Sequence, residues 1–179
     1  GFKRKGLVMG DVQSGKTANY IGLINRAADV KYKLIILIAG LHVNLRRQTQ
    51  NRAIEGFIGE DGITKEKIGV GKIAPIDRSR TPVSFTSLDN DFTLQTQKSI
   101  TFNPESSNAP VVLVIKKNTN TLKSIIKWLQ AGVGANQYTN NYPLLLIDDE
   151  ADNASVNYND EDADPTKING QIREILSLF

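Results

Sequence analysis

Gly10-Asp11-Val12-Gln13-Ser14-Gly15-Lys16-Thr17 fills every fixed position of the pattern G-x-x-x-x-G-K-[ST], the signature of a phosphate-cradling P-loop. The chemistry sets the spacing. Gly10 and Gly15 let the backbone curl tightly and approach a polyphosphate with no Cβ in the way. The amides between them, those of Val12, Gln13 and Ser14 included, form an anion nest. Lys16 then reaches the β- and γ-phosphates, and Thr17 offers its hydroxyl to a magnesium ion. A helix opening at this point aims its positive end at the same anions.

Such a loop belongs between a strand and a helix. Gly6-Leu7-Val8-Met9 is a short apolar run directly before it, suited to a buried parallel strand. Ala18, Ile21, Ile24 and Ala28 follow at roughly helical spacing. Leu34 to Ala39 (LIILIA) is a continuous, β-branched-rich run bounded by Tyr32-Lys33 and Gly40, which reads as a second, central strand. Strand, loop, helix, strand implies a right-handed crossover and a parallel sheet. The expected fold class is therefore α/β, with a mainly parallel central sheet and three layers.

A second acidic element completes the constellation. Leu144-Leu145-Leu146-Ile147, introduced by Pro143, reads as another buried strand and ends in Asp148-Asp149-Glu150-Ala151-Asp152. In P-loop enzymes an acid at the tip of a neighbouring strand completes the magnesium site. The next acid can orient or deprotonate the attacking water, while the ion holds the β- and γ-oxygens and spreads their charge. The hydrophobic strand alone would choose Asp148 as the metal residue.

The rest of the chain is less direct. Leu41 to Leu45 leads into Arg46-Arg47-Gln48-Thr49-Gln50-Asn51-Arg52, seven residues with no apolar side chain, before Ala53, Ile54, Phe57 and Ile58. A helix with a polar middle fits this pattern. Residues 59–110 are rich in Gly, Ser, Thr, Asn and Asp and read as a peripheral elaboration of the sheet, with short strands possible at 83–85 and 92–94. Val111 to Ile115 (VVLVI) is a further buried strand, followed by Lys116-Lys117-Asn118 at the end where open α/β sheets bind ligands. Thr119 or Thr121 can cap a helix whose apolar stripe is Leu122, Ile125, Ile126 and Leu129, ended by Gly132 and Gly134. Asp164 as N-cap and Pro165 at the first helical position open a last helix, with Ile168, Ile172, Ile175, Leu176 and Phe179 on one face.

Composition bounds the function. The chain has 179 residues, 40% hydrophobic and 23% charged, as expected of one globular domain with a real core. The run Leu34 to Ala39 is far too short to span a bilayer. With no cysteine and one histidine, His42, thiolate metal sites, cysteine nucleophiles and multi-histidine centres are excluded. With no secretory signal, a cytoplasmic location is the default. The chain does not begin with methionine and stops within a helical pattern, which reads as a piece of a longer protein. Residues 148–164 hold eight acids and no Lys or Arg, so the remainder carries 22 bases against 11 acids. An anionic partner for the basic part follows, with nucleic acid the leading candidate. Asp160 to Asp164 mimics the start of a calcium loop, but Pro165 stands where glycine is needed and Gln171 where glutamate is needed, so that reading is rejected.

Asp149-Glu150-Ala151-Asp152 spells the DEAD signature, and here the chain resembles the superfamily-two helicases and translocases. The P-loop, the strand LIILIAG with Leu45-x-x-Gln48 after it, and the acidic box fall in the helicase order. The segment from Leu45 to Gln48 resembles the motif written PTRELAxQ, without its Pro-Thr-Arg. A closer resemblance is to the Z-one family of putative endonucleases, carried by GDVQSGKTANYIGLI, AGLHVNLRRQTQNR, VIKKN and LLIDDEADNASVN. The resemblance implies a first RecA-like ATPase domain over residues 1–179, ATP and magnesium as cofactors, and DNA as the nucleic-acid partner. It also implies a restriction or phage-defence setting and a second RecA-like domain in the same longer chain.

The resemblance further implies roles. Lys16 and Thr17 serve phosphate and magnesium, Asp149 serves magnesium, Glu150 positions the hydrolytic water, and Asp152 couples the site to the next motif. Asp149 rather than Asp148 is the metal residue, because Glu150-Ala151-Asp152 then falls in frame. Arg46, Arg47, Gln48, Lys116 and Lys117 lie where helicases contact the nucleic-acid backbone. The alternatives are a P-loop NTPase of another class or a nucleotide-binding scaffold. The first lacks an Asn-Lys-x-Asp or Leu-Ser-Gly-Gly-Gln motif here, and the second is opposed by the intact Lys16, Thr17, Asp149 and Glu150.

Overall fold

A computed structural model of the chain describes residues 4–9, 15–73, 80–93, 95, 107–134, 142–152 and 166–179. Three continuous apolar runs become strands: β1 (Leu34–Ile38), β3 (Val111–Ile115) and β4 (Leu144–Asp148), with β2 a two-residue strand at Val83–Ser84. The sheet order is β2-β3-β1-β4 and every pairing is parallel. Runs of this kind suit a sheet covered on both faces. All five residues of β1 and all five of β3 are buried.

The helices are α1 (Lys16–Asp29), α2 (Val43–Ala53), α3 (Thr119–Gly134) and α4 (Lys167–Ser177). Alternation along the strands divides the core into two. Ile35 and Leu37 of β1, with Val112 and Val114 of β3, pack against Tyr20 and Ile24 of α1, Ala53 of α2, and Phe57. Leu34, Ile36 and Ile38, with Leu113 and Ile115, pack against Leu122, Ile125 and Leu129 of α3 and Ile175 of α4. Helices therefore cover both faces of an α/β sheet, and its two interior strands are β3 and β1.

The register carries the functional consequence. Ile38 lies opposite both Ile115 and Asp148, so three parallel strands end level. Their continuations stay tied: Ala39 N donates to Ile115 O (2.9 Å), Lys117 N to Gly40 O (3.3 Å) and Asp149 N to Ile38 O (2.9 Å). The C-terminal edge thus gathers Gly40, Lys117 and Asp148-Asp149-Glu150.

Several expectations need correction. Residues 4–9 form no strand, and Leu7, Val8 and Met9 are 77%, 65% and 83% exposed. An apolar run becomes a strand only when a ladder partner accepts it. Both edges of β1 are already taken by β3 and β4, and the run joins neither free edge of the sheet. The strand expected at 83–85 is confined to Val83–Ser84, and none forms at 91–93. Phe92 instead inserts into the core at 1% exposure, 5.4 Å from Trp128 between ring centroids. The cap of α3 is Asn118, whose Oδ1 accepts from Thr121 N at 2.9 Å. Helix α4 starts at Lys167 with Thr166 at its N-cap; Asp164 and Pro165 lie outside the described residues.

Helix α2 forms despite its polar middle because its buried face is itself polar: Arg46, Thr49 and Gln50 are buried beside Ala53. Gln50 Nε2 donates to Ser84 Oγ (3.0 Å), Thr86 Oγ1 donates to Gln50 Oε1 (2.7 Å), and Val114 N donates to Thr86 Oγ1 (2.8 Å). The segment after β2 is thereby stitched between α2 and β3.

Candidate functional site

The site is built on the level strand ends and the first turn of α1. Gly15 stands at the N-cap of α1 with φ of 80°, and Lys16 and Thr17 open the helix. That left-handed conformation favours glycine, as the motif anticipates. Gly10, Asp11, Val12, Gln13 and Ser14 lie outside the described residues.

Opposite them stands the turn after β4. Asp149 and Glu150 line the same polar cleft as Thr17, together with Tyr20, Gly40, Leu45, Gln48, Thr49 and Arg52, in a volume of about 140 Å³. That is below the roughly 300–1,000 Å³ of pockets enclosing a drug-sized ligand. It suits a phosphate group or a hydrated cation rather than a whole nucleotide. Glu150 has φ of 70°, a conformation that costs a non-glycine residue about 1–3 kcal/mol. The compensation is visible on two sides. Its backbone carbonyl accepts from Lys117 Nζ at 2.6 Å. Its carboxylate lies over Gly40, where an added Cβ would sit 2.5 Å from Glu150 Oε2 and 2.7 Å from Leu45 Cδ1.

The three consecutive acids have different surroundings. Asp148 pairs with Lys117, Nζ to Oδ1 at 2.6 Å, with side-chain exposures of 0% for Lys117 and 14% for Asp148. Asp149 faces the cleft; burial pushes its carboxyl above the ordinary range, and the charges of Lys16 and Lys117 and a hydrogen bond from Tyr20 oppose that shift. Glu150 is half-buried on the cleft wall. Tyr20 is 9% exposed and lines the cleft beside Thr17, Thr49 and Asp149. Burial raises the Tyr20 phenol above its ordinary value, so it is neutral and able to donate.

Among the described residues no group of three or more His, Cys, Asp or Glu side chains could hold a metal by itself. Magnesium does not require one: it is bound through one or two carboxylates, substrate phosphates and water. Thr17 and Asp149 fit that role, a hydroxyl and a carboxylate lining the same polar cleft.

The residues expected at a nucleic-acid surface divide. Arg46 is 2% exposed, its Nη1 and Nη2 donating to the carbonyls of Ser87 (2.9 Å) and Leu88 (2.5 Å). Lys117 is fully buried, as described. Neither presents its charge to solvent. Burying an uncompensated cation is prohibitive, and here carbonyls and a carboxylate supply the compensation. Gln48 lines the cleft. Arg47 is exposed and pairs with Asp89 at 3.2 Å. Lys116 is half-buried, its backbone N–H donating to the Asp91 carboxylate at 3.2 Å. Asp152 is exposed.

Sequence reading passed over Tyr20, Thr49 and Arg52. The available signal was periodicity: Leu45, Gln48, Thr49 and Arg52 are at i, i+3, i+4 and i+7 on α2, one helical stripe, and Tyr20 lies three residues after Thr17. Among the described residues no helix is long and apolar enough to cross a membrane.

Comparison of the chain with protein-family models, with curated proteins and with solved structures found no match.

Proposed function

We propose that this chain is the ATP-binding and ATP-hydrolysing RecA-like half of a nucleic-acid-dependent, helicase-like motor of the superfamily-two type. The observation that carries the reading is the meeting of two distant sequence elements. Thr17, in the first turn of α1 directly after Gly15-Lys16, and Asp149-Glu150, beyond β4, line one polar cleft at the C-terminal edge of a parallel sheet, where such sheets bind ligands.

In this reading Lys16 binds the β- and γ-phosphates and Thr17 and Asp149 hold magnesium. When bound, that ion supplies charge neutralisation of the phosphates. Glu150, braced over Gly40, orients the attacking water and accepts its proton. Backbone contact with nucleic acid falls to Arg47 and Lys116. The resemblance to the Z-one family extends the proposal to DNA and to a restriction or phage-defence endonuclease.

The test is equilibrium binding of a non-hydrolysable ATP analogue with Mg2+ to the chain, beside Lys16→Ala and Asp149→Ala. Saturable binding that both substitutions weaken by tenfold or more supports the reading. Binding indifferent to Lys16 refutes it.

A further inference from the structure

We propose that Arg52 grips the γ-phosphate of the bound nucleotide, its forked guanidinium closing the α2 side of the cleft. The inference rests on the nucleotide reading above and adds a residue that the P-loop and acidic-box motifs do not contain.

The helix sets its placement. Leu45, Gln48, Thr49 and Arg52 form one stripe of α2, and all four line the cleft with Thr17, Asp149 and Glu150. Long side chains on a helix lean back over the turn before them. Arg52 therefore carries its charge toward Gln48 and the strand ends, away from the C-terminal end of α2.

The neighbouring cations are committed elsewhere. Arg46 is held by the Ser87 and Leu88 carbonyls, Arg47 by Asp89, and Lys117 by Asp148. Arg52 is exposed, and among the described residues no hydrogen bond or ion pair holds its guanidinium. Asp149 and Glu150 line the same cleft, yet neither pairs with it. Its donors are left available to a ligand.

Charge and size name that ligand. Among the described residues lining the cleft, two are carboxylates and Arg52 alone is a cation. Asp149 and Glu150 repel an entering anion. Lys16 offsets that repulsion from the α1 side, and Arg52 offsets it from the α2 side. The volume of about 140 Å³ suits one phosphate group. In the nucleotide reading the group nearest Glu150 is the γ-phosphate. The planar guanidinium can donate to two phosphate oxygens at once, whereas lysine offers a point charge. A nucleoside triphosphate makes this contact and a diphosphate does not, so Arg52 sets the preference between them.

The experiment measures equilibrium binding of a non-hydrolysable ATP analogue and of ADP, each with Mg2+. It compares the parent chain with Arg52→Met, Arg52→Lys and Lys123→Met. Lys123 is an exposed cation of α3, which covers the opposite face of the sheet. Thermal unfolding is followed on each variant and should stay close to the parent's. Arg52→Met should weaken the ATP analogue roughly tenfold or more and ADP less than twofold. Arg52→Lys should remain at least threefold weaker than the parent for the analogue, and Lys123→Met should stay within twofold for both ligands. Analogue affinity within twofold of the parent in Arg52→Met overturns the proposal. So does equal weakening of analogue and ADP, or an equal effect of Lys123→Met, which marks general charge alone. Full recovery in Arg52→Lys overturns the forked contact. Lys16→Ala run alongside separates the two levels. If it abolishes analogue binding while Arg52→Met spares it, only the Arg52 role fails; if it changes nothing, the nucleotide reading fails first.

Discussion

Lys117→Met probes the interior of the site through its most constrained side chain. The ammonium is wholly buried, 2.6 Å from Asp148 Oδ1 and 2.6 Å from the Glu150 carbonyl. Methionine keeps most of the aliphatic length, so little cavity is created. What is lost is the charge, leaving Asp148 at 14% exposure with its ion-pair partner gone. Removing one member of a buried pair costs about 3–5 kcal/mol. At about 2–4 °C per kcal/mol for a chain of this size, unfolding should move down by roughly 6–20 °C. A native domain holds only about 5–15 kcal/mol in total, so the loss is a large share. Adding Asp148→Asn removes the stranded charge and should recover more than half of it. Denaturant unfolding followed by circular dichroism, on both variants and the parent, measures these differences. The reasoning is refuted if Lys117→Met stays within about 1 kcal/mol of the parent. It is refuted doubly if the same variant lowers the salt slope of DNA binding by about one, the mark of a lost phosphate contact, because the ammonium would then be at the surface.

Other perturbations separate the remaining parts. Gly40→Ala places a Cβ 2.5 Å from Glu150 Oε2, so ATP turnover should fall at least tenfold while analogue affinity changes less than threefold. Arg46→Met strips the donors from the Ser87 and Leu88 carbonyls and should cost about 2–4 kcal/mol in denaturant unfolding, with no change in the salt slope of DNA binding. Burial raises the Asp91 carboxyl above its ordinary 3.8, so above that pH the folded chain holds more proton than the unfolded one. Its contribution is complete below 3.8 and is lost as pH rises through the folded value. The stability of the parent relative to Asp91→Asn should therefore fall as pH is raised from 4, and a relative stability that climbs instead would contradict the assignment.

How much of this could be read from the sequence depended on what kind of force acts on each residue. LIILI, VVLVI and LLLI are strands because continuous β-branched and leucine runs suit a sheet buried on both faces, a local property. The run Leu7-Val8-Met9 looks the same locally and makes no ladder, because pairing is a property of the sheet and not of the run. Helix α2 was faint because its inward face carries Arg46, Thr49 and Gln50, which hydrophobic periodicity scores as outward. Arg46 and Lys117 read as surface cations for the same reason. Their compensating groups are carbonyls of residues 87 and 88 in one case and a carboxylate at 148 in the other, and no local window contains both halves.

The acids at 148, 149 and 150 show why motif and geometry are both needed. In sequence they are nearly equivalent, and the strand rule alone favoured Asp148 for the metal. In the fold the alternation of the strand sends Asp148 to Lys117, while Asp149 emerges on the cleft side beside Lys16 and Tyr20. The chain then turns through a left-handed Glu150, which lays that carboxylate over Gly40. One acid is neutralised by an internal cation, one faces the cleft, and one is held against bare backbone on the cleft wall. Environment, rather than residue type, divides the roles. Lys117 controls two of the three positions at once, pairing with Asp148 and holding the carbonyl of Glu150. A residue that sequence order places at the nucleic-acid surface is therefore the brace on which the proposed water-positioning carboxylate depends.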